Sequence, residues 1–274
     1  MTQVTALLSG GGIKAAAHLG AIEVLCRAGL VPGRYIGTSL GAVIGALLAA
    51  GLTPEEVVDR VRRLRRRDVL RFSASSVVQG VFASALLQPE PFQRTLALLL
   101  PVRRFSELQL PLTVTATDLE TGELVLFGAG GEDAPLLDAL YASCALPVWF
   151  PPLERNGRRL ADGGLRGVLP LRLAARFPAD VLVAVDAGPG FDAVPASGRL
   201  APPALIRAHN AATNVLMAGN TELELSLWRA TNTRPTLLYL RPEVERGVTF
   251  ALGHFDRYAE AGRRAAEKAL AARG

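Results

Sequence analysis

The chain has 274 residues, half of them hydrophobic, and a formal charge of +5 from 30 basic and 25 acidic residues. That is enough apolar material for a sizeable core, but the longest apolar run, residues 40–52, is shorter than the ~20 residues a membrane span needs. The basic excess is nearly all arginine, without zinc spacing, a helix-turn-helix signature or aromatic interleaving, which argues against a nucleic-acid surface. Cys26 and Cys144 make no disulfide framework, and no secretory leader is recognisable, so a cytoplasmic protein is expected.

Residues 4–8 form a compact apolar run that ends in three glycines, which predicts a buried strand feeding a tight turn. Residues 13–28 follow a helical pattern with Ile13, Ala17, Gly20 and Val24 on one face, stopped by Gly29 and Pro32-Gly33. A short strand at residues 35–37 leads through Ser39 into a second apolar helix ending near Ala50, on which Gly41, Gly45 and Ala49 form a ridge for close packing. Thr53-Pro54-Glu55-Glu56 supplies a cap, a proline and two acids, and so starts another helix. That helix is expected to run into Arg60, Arg62, Arg63, Arg65, Arg66 and Arg67, a cluster that reads either as a solvated helix end or as a contact with anionic lipid.

Residues 69–88 have mixed periodicity and suggest only a cover. Pro89-Glu90-Pro91 opens a helix that ends before Pro101. A strand at 112–116, a turn at 117–122 and a returning strand at 123–127 follow, then a helix at 136–145 and the proline-stiffened loop 147–152. Residues 158–161 lead into the tight turn Asp162-Gly163-Gly164. Strands at 181–186 and 236–240, a surface loop at 188–203 and a last helix from about His254 complete the chain. Alternating strands and helices without a separating linker predict one three-layer α/β/α domain over residues 1–274 with a mostly parallel sheet.

The chemistry concentrates in two turns. A right-handed crossover places the glycine turn Gly10-Gly11-Gly12 and the turn Gly37-Thr38-Ser39-Leu40-Gly41 at one sheet edge, each opening a helix whose first N–H groups lack partners. Ser39 stands in a G-x-S-x-G setting, with donors from Gly11 and Gly12 on one side and Leu40 on the other, as acyl transfer requires. The rival reading is a dinucleotide site, since Gly10, Gly12 and Ala15 satisfy G-x-G-x-x-A after a strand. It expects an acid at the end of the second strand, and none occurs before Glu55.

With Gly10-Gly11-Gly12-Ile13-Lys14, Gly37 to Gly41, the 116–122 turn, the 145–152 loop and Asp162-Gly163-Gly164 in this order, the sequence resembles the patatin-like phospholipases over residues 4–186. The resemblance implies a Ser-Asp dyad of Ser39 and Asp162, an oxyanion hole from the glycine turn, and a lipid acyl ester as substrate, with a general carboxylesterase as the alternative. Ala15 replaces a glycine usual in the family, and Gly167 and Val168 stand where an asparagine is common. A triad would need His18, His209 or His254; Ser39 lies earlier in the chain than the usual triad fold has its nucleophile, which disfavours that fold and leaves His254 as the alternative base. Lys14 reads as a guide for an anionic head group or as an exposed helix-start residue, and Trp149 and Phe150 as walls of an acyl channel. No metal or cofactor is expected, and the number of copies in the assembly is left open.

Overall fold

Val4–Leu8 (β1) is buried over its whole length because both its neighbours are parallel strands and both its faces are covered. Arg34–Thr38 (β2) pairs with it on one side, and Val181–Val185 (β7) on the other. The structure is a computed structural model that describes residues 2–73, 85–191, 203–231, 234–245 and 252–272. Leu112–Asp118 (β3) extends the sheet beyond β2, and Thr236–Leu240 (β8) extends it beyond β7, again in parallel. The remaining strands are antiparallel: Leu124–Gly128 (β4) and Arg158–Asp162 (β6) both pair with β3, and Leu153–Arg155 (β5) pairs with β6. The order is β5-β6-β3-β2-β1-β7-β8, with β4 joined to β3 off this path, a mixed α/β architecture on a mostly parallel sheet.

Strand alternation divides the core between two faces. Val4, Ala6 and Leu8 point with Val181, Val183 and Val185 toward Ala16–Arg27 (α1), Leu40–Ala49 (α2) and Phe255–Ala271, the last helix. Leu7, Ile36, Leu182 and Ala184 point the other way, against Leu169, Leu171 and Trp228. Backbone contact locks the last helix onto α1: a Cβ on Gly20 would overlap the Ala259 carbonyl, and one on Gly262 the Ala17 carbonyl. Arg263 adds a 2.8 Å bond to Glu23 at this seam. β8 therefore completes the sheet and the last helix covers α1.

Two expectations change. The first helix begins as a tighter 3-10 turn, Gly12–Ala15, because Gly12 takes a φ of 60° to turn the chain out of the glycine loop. The arginine-rich helix, Pro54–Arg62 (α3), stops at Arg62, and a separate short helix, Arg66–Val69, follows, so the arginines do not wrap one helix. Its start is as read: Thr53 and Glu56 form a reciprocal capping box. Most of the uncertain cover, residues 74–84, and of the proposed surface loop, residues 192–202, lies outside the described residues.

Candidate active site

β3 brings the Ser39 turn and the Asp162 turn together. Its first half pairs with β2, ending at Thr38↔Thr115, and β2 then leaves that edge to enter α2 at Ser39. β6 takes over the vacated edge in the opposite direction, with Asp162 opposite Ala116. Ser39 and Asp162, 123 residues apart, thus meet end to end, and the Ser39 hydroxyl donates to Asp162 Oδ2 at 2.7 Å.

The turn around Ser39 is built sterically. Ser39 has φ 54° and ψ −133°, a conformation that costs energy for a side-chain-bearing residue. A Cβ on Gly37 would collide with Ala42, and one on Gly41 with the Leu8 and Ser9 carbonyls, so only glycines let α2 turn this tightly over the sheet. The Ser39 N–H is held by the Ser143 hydroxyl at 2.8 Å. Ser143 is fully buried on Leu136–Cys144, a helix packed over β3. It was passed over in the sequence, although a serine inside an otherwise apolar helix is the signal that marks it.

Asp162 is equally fixed. Its N–H goes to the Ala145 carbonyl at 3.1 Å, Thr117 Oγ1 donates to its carbonyl at 2.9 Å, and Oδ1 accepts the Gly164 N–H at 2.8 Å. Gly163 is required because a Cβ there would overlap Thr115. Burial raises the Asp162 carboxyl from 3.8 to about 6, an effect only partly offset by the Ser39 and Gly164 hydrogen bonds. A carboxylate of that pKa is ionised at neutral pH and still a competent proton acceptor.

The glycine turn lies across from Ser39. A Cβ on Gly11 would strike the Ala187 carbonyl, so the turn is pressed against the end of β7. Among the described residues, the N–H groups of Gly11, Gly12 and Leu40 make no hydrogen bond. Gly10 departs from the expectation: its N–H points to the Val168 carbonyl at 3.4 Å, leaving Gly11, Gly12 and Leu40 as the available donors. Ser9 braces the turn, donating to the Gly10 carbonyl at 2.9 Å and accepting the Ala187 N–H at 2.8 Å. His18 is wholly buried, its pKa lowered by burial to about 4, so it is neutral at pH 7 and Nε2–H donates to the Ser9 carbonyl at 2.9 Å.

In front of these groups lies a cavity of about 450 Å³, walled mainly by aliphatic side chains such as Val43, Leu47, Leu96 and Leu99. None of the three histidines is among its lining residues. His254 instead stands 3.8 Å from Glu245 and edge-on to Tyr258. Phe150 lines the cavity, stacked on Phe92 with centroids 5.2 Å apart. Trp149, expected beside it, is not a lining residue: it packs against the core and its indole N–H donates to Asn210.

The family's sequence profile, described as patatin-like phospholipase, matches residues 7–175, the span that holds both turns and Asp162. The chain belongs to the patatin-like phospholipase family. An uncharacterized NTE family protein of Mycobacterium tuberculosis is 34% identical over 198 residues, covering 70% of this chain and 52% of that protein. The human patatin-like phospholipase domain-containing protein 6 is 27% identical over 68% of this chain and 13% of its own length. The chain thus spans about half the length of the mycobacterial relative. The crystal structure of VipD from Legionella pneumophila, 14% identical, overlays with a TM-score of 0.49 over 99% of this chain and 67% of that one, too remote to bear on the chemistry.

Within this patatin-like frame the glycine turn that satisfies G-x-G-x-x-A abuts Ser39 and lines one apolar cavity with it and Asp162. Among the described residues no group of three or more His, Cys, Asp or Glu side chains could hold a metal ion, and no helix is long and apolar enough to cross a membrane. Lys14 is not an exposed helix-start residue: only 6% exposed, it lines the cavity, and its pKa is lowered to about 8, first by burial and then by Arg241. Cys144 also lines the cavity, and burial keeps its thiol protonated.

Proposed function

We propose that this patatin-like protein hydrolyses carboxylic esters of lipids through an acyl-enzyme, with Ser39 as nucleophile and Asp162 as its base. The observation that carries the reading is the 2.7 Å hydrogen bond from Ser39 to a buried carboxylate whose pKa is raised to about 6. Asp162 takes the Ser39 proton as the serine oxygen attacks the ester carbonyl. The free N–H groups of Gly11, Gly12 and Leu40 stabilise the oxyanion, a single such donor being worth roughly 3–4 kcal/mol. The proton on Asp162 passes to the departing alcohol, and Asp162 then activates the water that releases the acid. No histidine is needed, because desolvation does for Asp162 what imidazole does elsewhere.

The aliphatic cavity supports an acyl chain as the bound part of the substrate, at ~0.8 kcal/mol per buried CH₂. Hydrolysis of nitrophenyl esters of increasing chain length, and of lysophospholipid and phospholipid, tests the reading. The expected result is kcat/KM that rises with chain length and disappears in Ser39→Ala. Activity in Ser39→Ala refutes the mechanism, and activity blind to chain length and absent on lipid makes the protein a general carboxylesterase.

A further inference from the structure

Two different surfaces carry both cavity-lining and exposed residues. One is the long helix Ala204–Thr231, which places Ala211, Val215 and Ala218 on the cavity. Beside that face, Leu205, Ala208, Ala212, Leu216, Gly219 and Leu223 recur at helical spacing of three and four, and all are exposed. Leu205 is 67% exposed and Leu216 74%. No charge interrupts this stripe, which runs about 27 Å at 1.5 Å per residue. Phe191, half-exposed, lines the cavity next to it.

The other wall is basic. Val61, Leu64, Val69 and Leu70 line the cavity, and arginines stand between and after them. Residues 60–73 hold seven arginines against one acid, Asp68. Arg60 is tied to the Leu99 carbonyl at 2.8 Å, and Arg62 to Asp256 and Asp59. Arg63, Arg65 and Arg71 are exposed and, among the described residues, their guanidinium groups pair with no carboxylate, while the Asp68 carboxylate accepts the Arg65 backbone N–H at 2.9 Å.

From this we infer that the mouth of the cavity is a bilayer-docking surface: the Leu205–Leu223 stripe enters the apolar zone of a membrane, while Arg63, Arg65 and Arg71 meet anionic head groups. An exposed apolar stripe continuous with an aliphatic cavity, flanked by unpaired cations, has the composition of an interfacial element. A second copy of the chain seated on the stripe would instead cover the opening through which the ester enters. The inference rests on the proposed lipid substrate and assigns how that substrate is reached.

The test is co-sedimentation of the full chain with vesicles of phosphatidylcholine alone or with a quarter phosphatidylglycerol, at low and high salt, alongside hydrolysis of a water-soluble butyrate ester. The expected result is stronger partition onto anionic vesicles that weakens with salt. Leu205→Glu/Leu216→Glu should lower partition onto both vesicles about tenfold or more, leaving the soluble ester turned over as before, which also reports an intact fold. Arg63→Glu/Arg65→Glu should abolish only the preference for phosphatidylglycerol. Wild-type protein that ignores vesicles, or a double-leucine variant that binds as wild type does, overturns the inference. So does a wild-type dimer that the leucine variant dissociates without changing vesicle binding. Vesicle binding as expected with no ester hydrolysed would leave the docking surface standing and refute the Ser39 mechanism instead.

Discussion

Asp162→Asn should cut turnover sharply and at the same time stabilise the fold. The amide fits the site: Oδ1 still accepts the Gly164 N–H, and Nδ2 replaces Oδ2 beside the Ser39 hydroxyl. What disappears is a buried charge. In the folded chain Asp162 titrates at about 6 instead of 3.8, so protonation is favoured by folding. Because the folded pKa is the higher one, the stability gained from the protonated form is complete below about 3.8 and is lost as pH rises through about 6. At about pH 8 the ionised carboxylate costs on the order of 3 kcal/mol, taking 1.36 kcal/mol per pKa unit. Reversing the Ser39 hydrogen bond takes back about 1 kcal/mol, which leaves a net gain of about 2 kcal/mol. Urea unfolding of wild type and variant at about pH 8 and again near pH 4 measures it; the gain should be clear at the higher pH and nearly vanish at the lower. Turnover should fall roughly 10²–10⁴-fold, the usual contribution of a general base. A variant that is less stable at both pH values, or whose gain is independent of pH, contradicts the strained buried carboxylate on which the base assignment depends.

Three further outcomes follow from the same geometry. The pH profile of wild-type kcat/KM should rise through about 6 as Asp162 ionises, with the alkaline side set by other groups; a limb set by a histidine would persist in Asp162→Asn and vanish in His254→Ala. Ser143→Ala removes the acceptor for the Ser39 N–H and should lower kcat with little change in KM, at about 1–3 kcal/mol for an orphaned buried donor, and Ser143→Thr should restore part of it. Gly11→Ala should cut turnover sharply, because its methyl would strike the Ala187 carbonyl and displace an oxyanion donor; full activity in a folded Gly11→Ala places the oxyanion hole elsewhere.

Much of the site could be read in the sequence because its steric requirements fall on glycines at fixed offsets. Gly37, Gly41, Gly163 and Gly11 each sit where a Cβ would overlap backbone or a buried side chain, and Gly12 has φ 60°. Those restrictions leave glycine as the residue that fits, and so they show in the chain. The strand expected at residues 236–240 is present with those bounds. The β5–β6 hairpin was missed although Asn156-Gly157, with φ 50° and 74°, is the usual hairpin signal; the flanking charged residues hid the strands. Burial of Lys14 and the Gly10 bond to Val168 depend on how the start of α1 meets the far end of the sheet, a tertiary relation that local pattern does not carry. The arginines after Arg60 misled for a related reason. Composition counted them together, whereas the chain breaks its helix at Arg62 and ties Arg60 and Arg62 to Leu99 and Asp256.

The proposed mechanism makes Ser39 a nucleophile activated by Asp162 alone. Incubation with an alkyl fluorophosphonate, followed by intact mass and peptide mapping, measures it directly. One adduct per chain is expected, on Ser39, formed at a rate that rises with pH through about 6 in the wild type and falls to a pH-independent trace in Asp162→Asn. An adduct on another serine, or labelling of Ser39 that survives Asp162→Asn and is lost in a histidine variant, contradicts it.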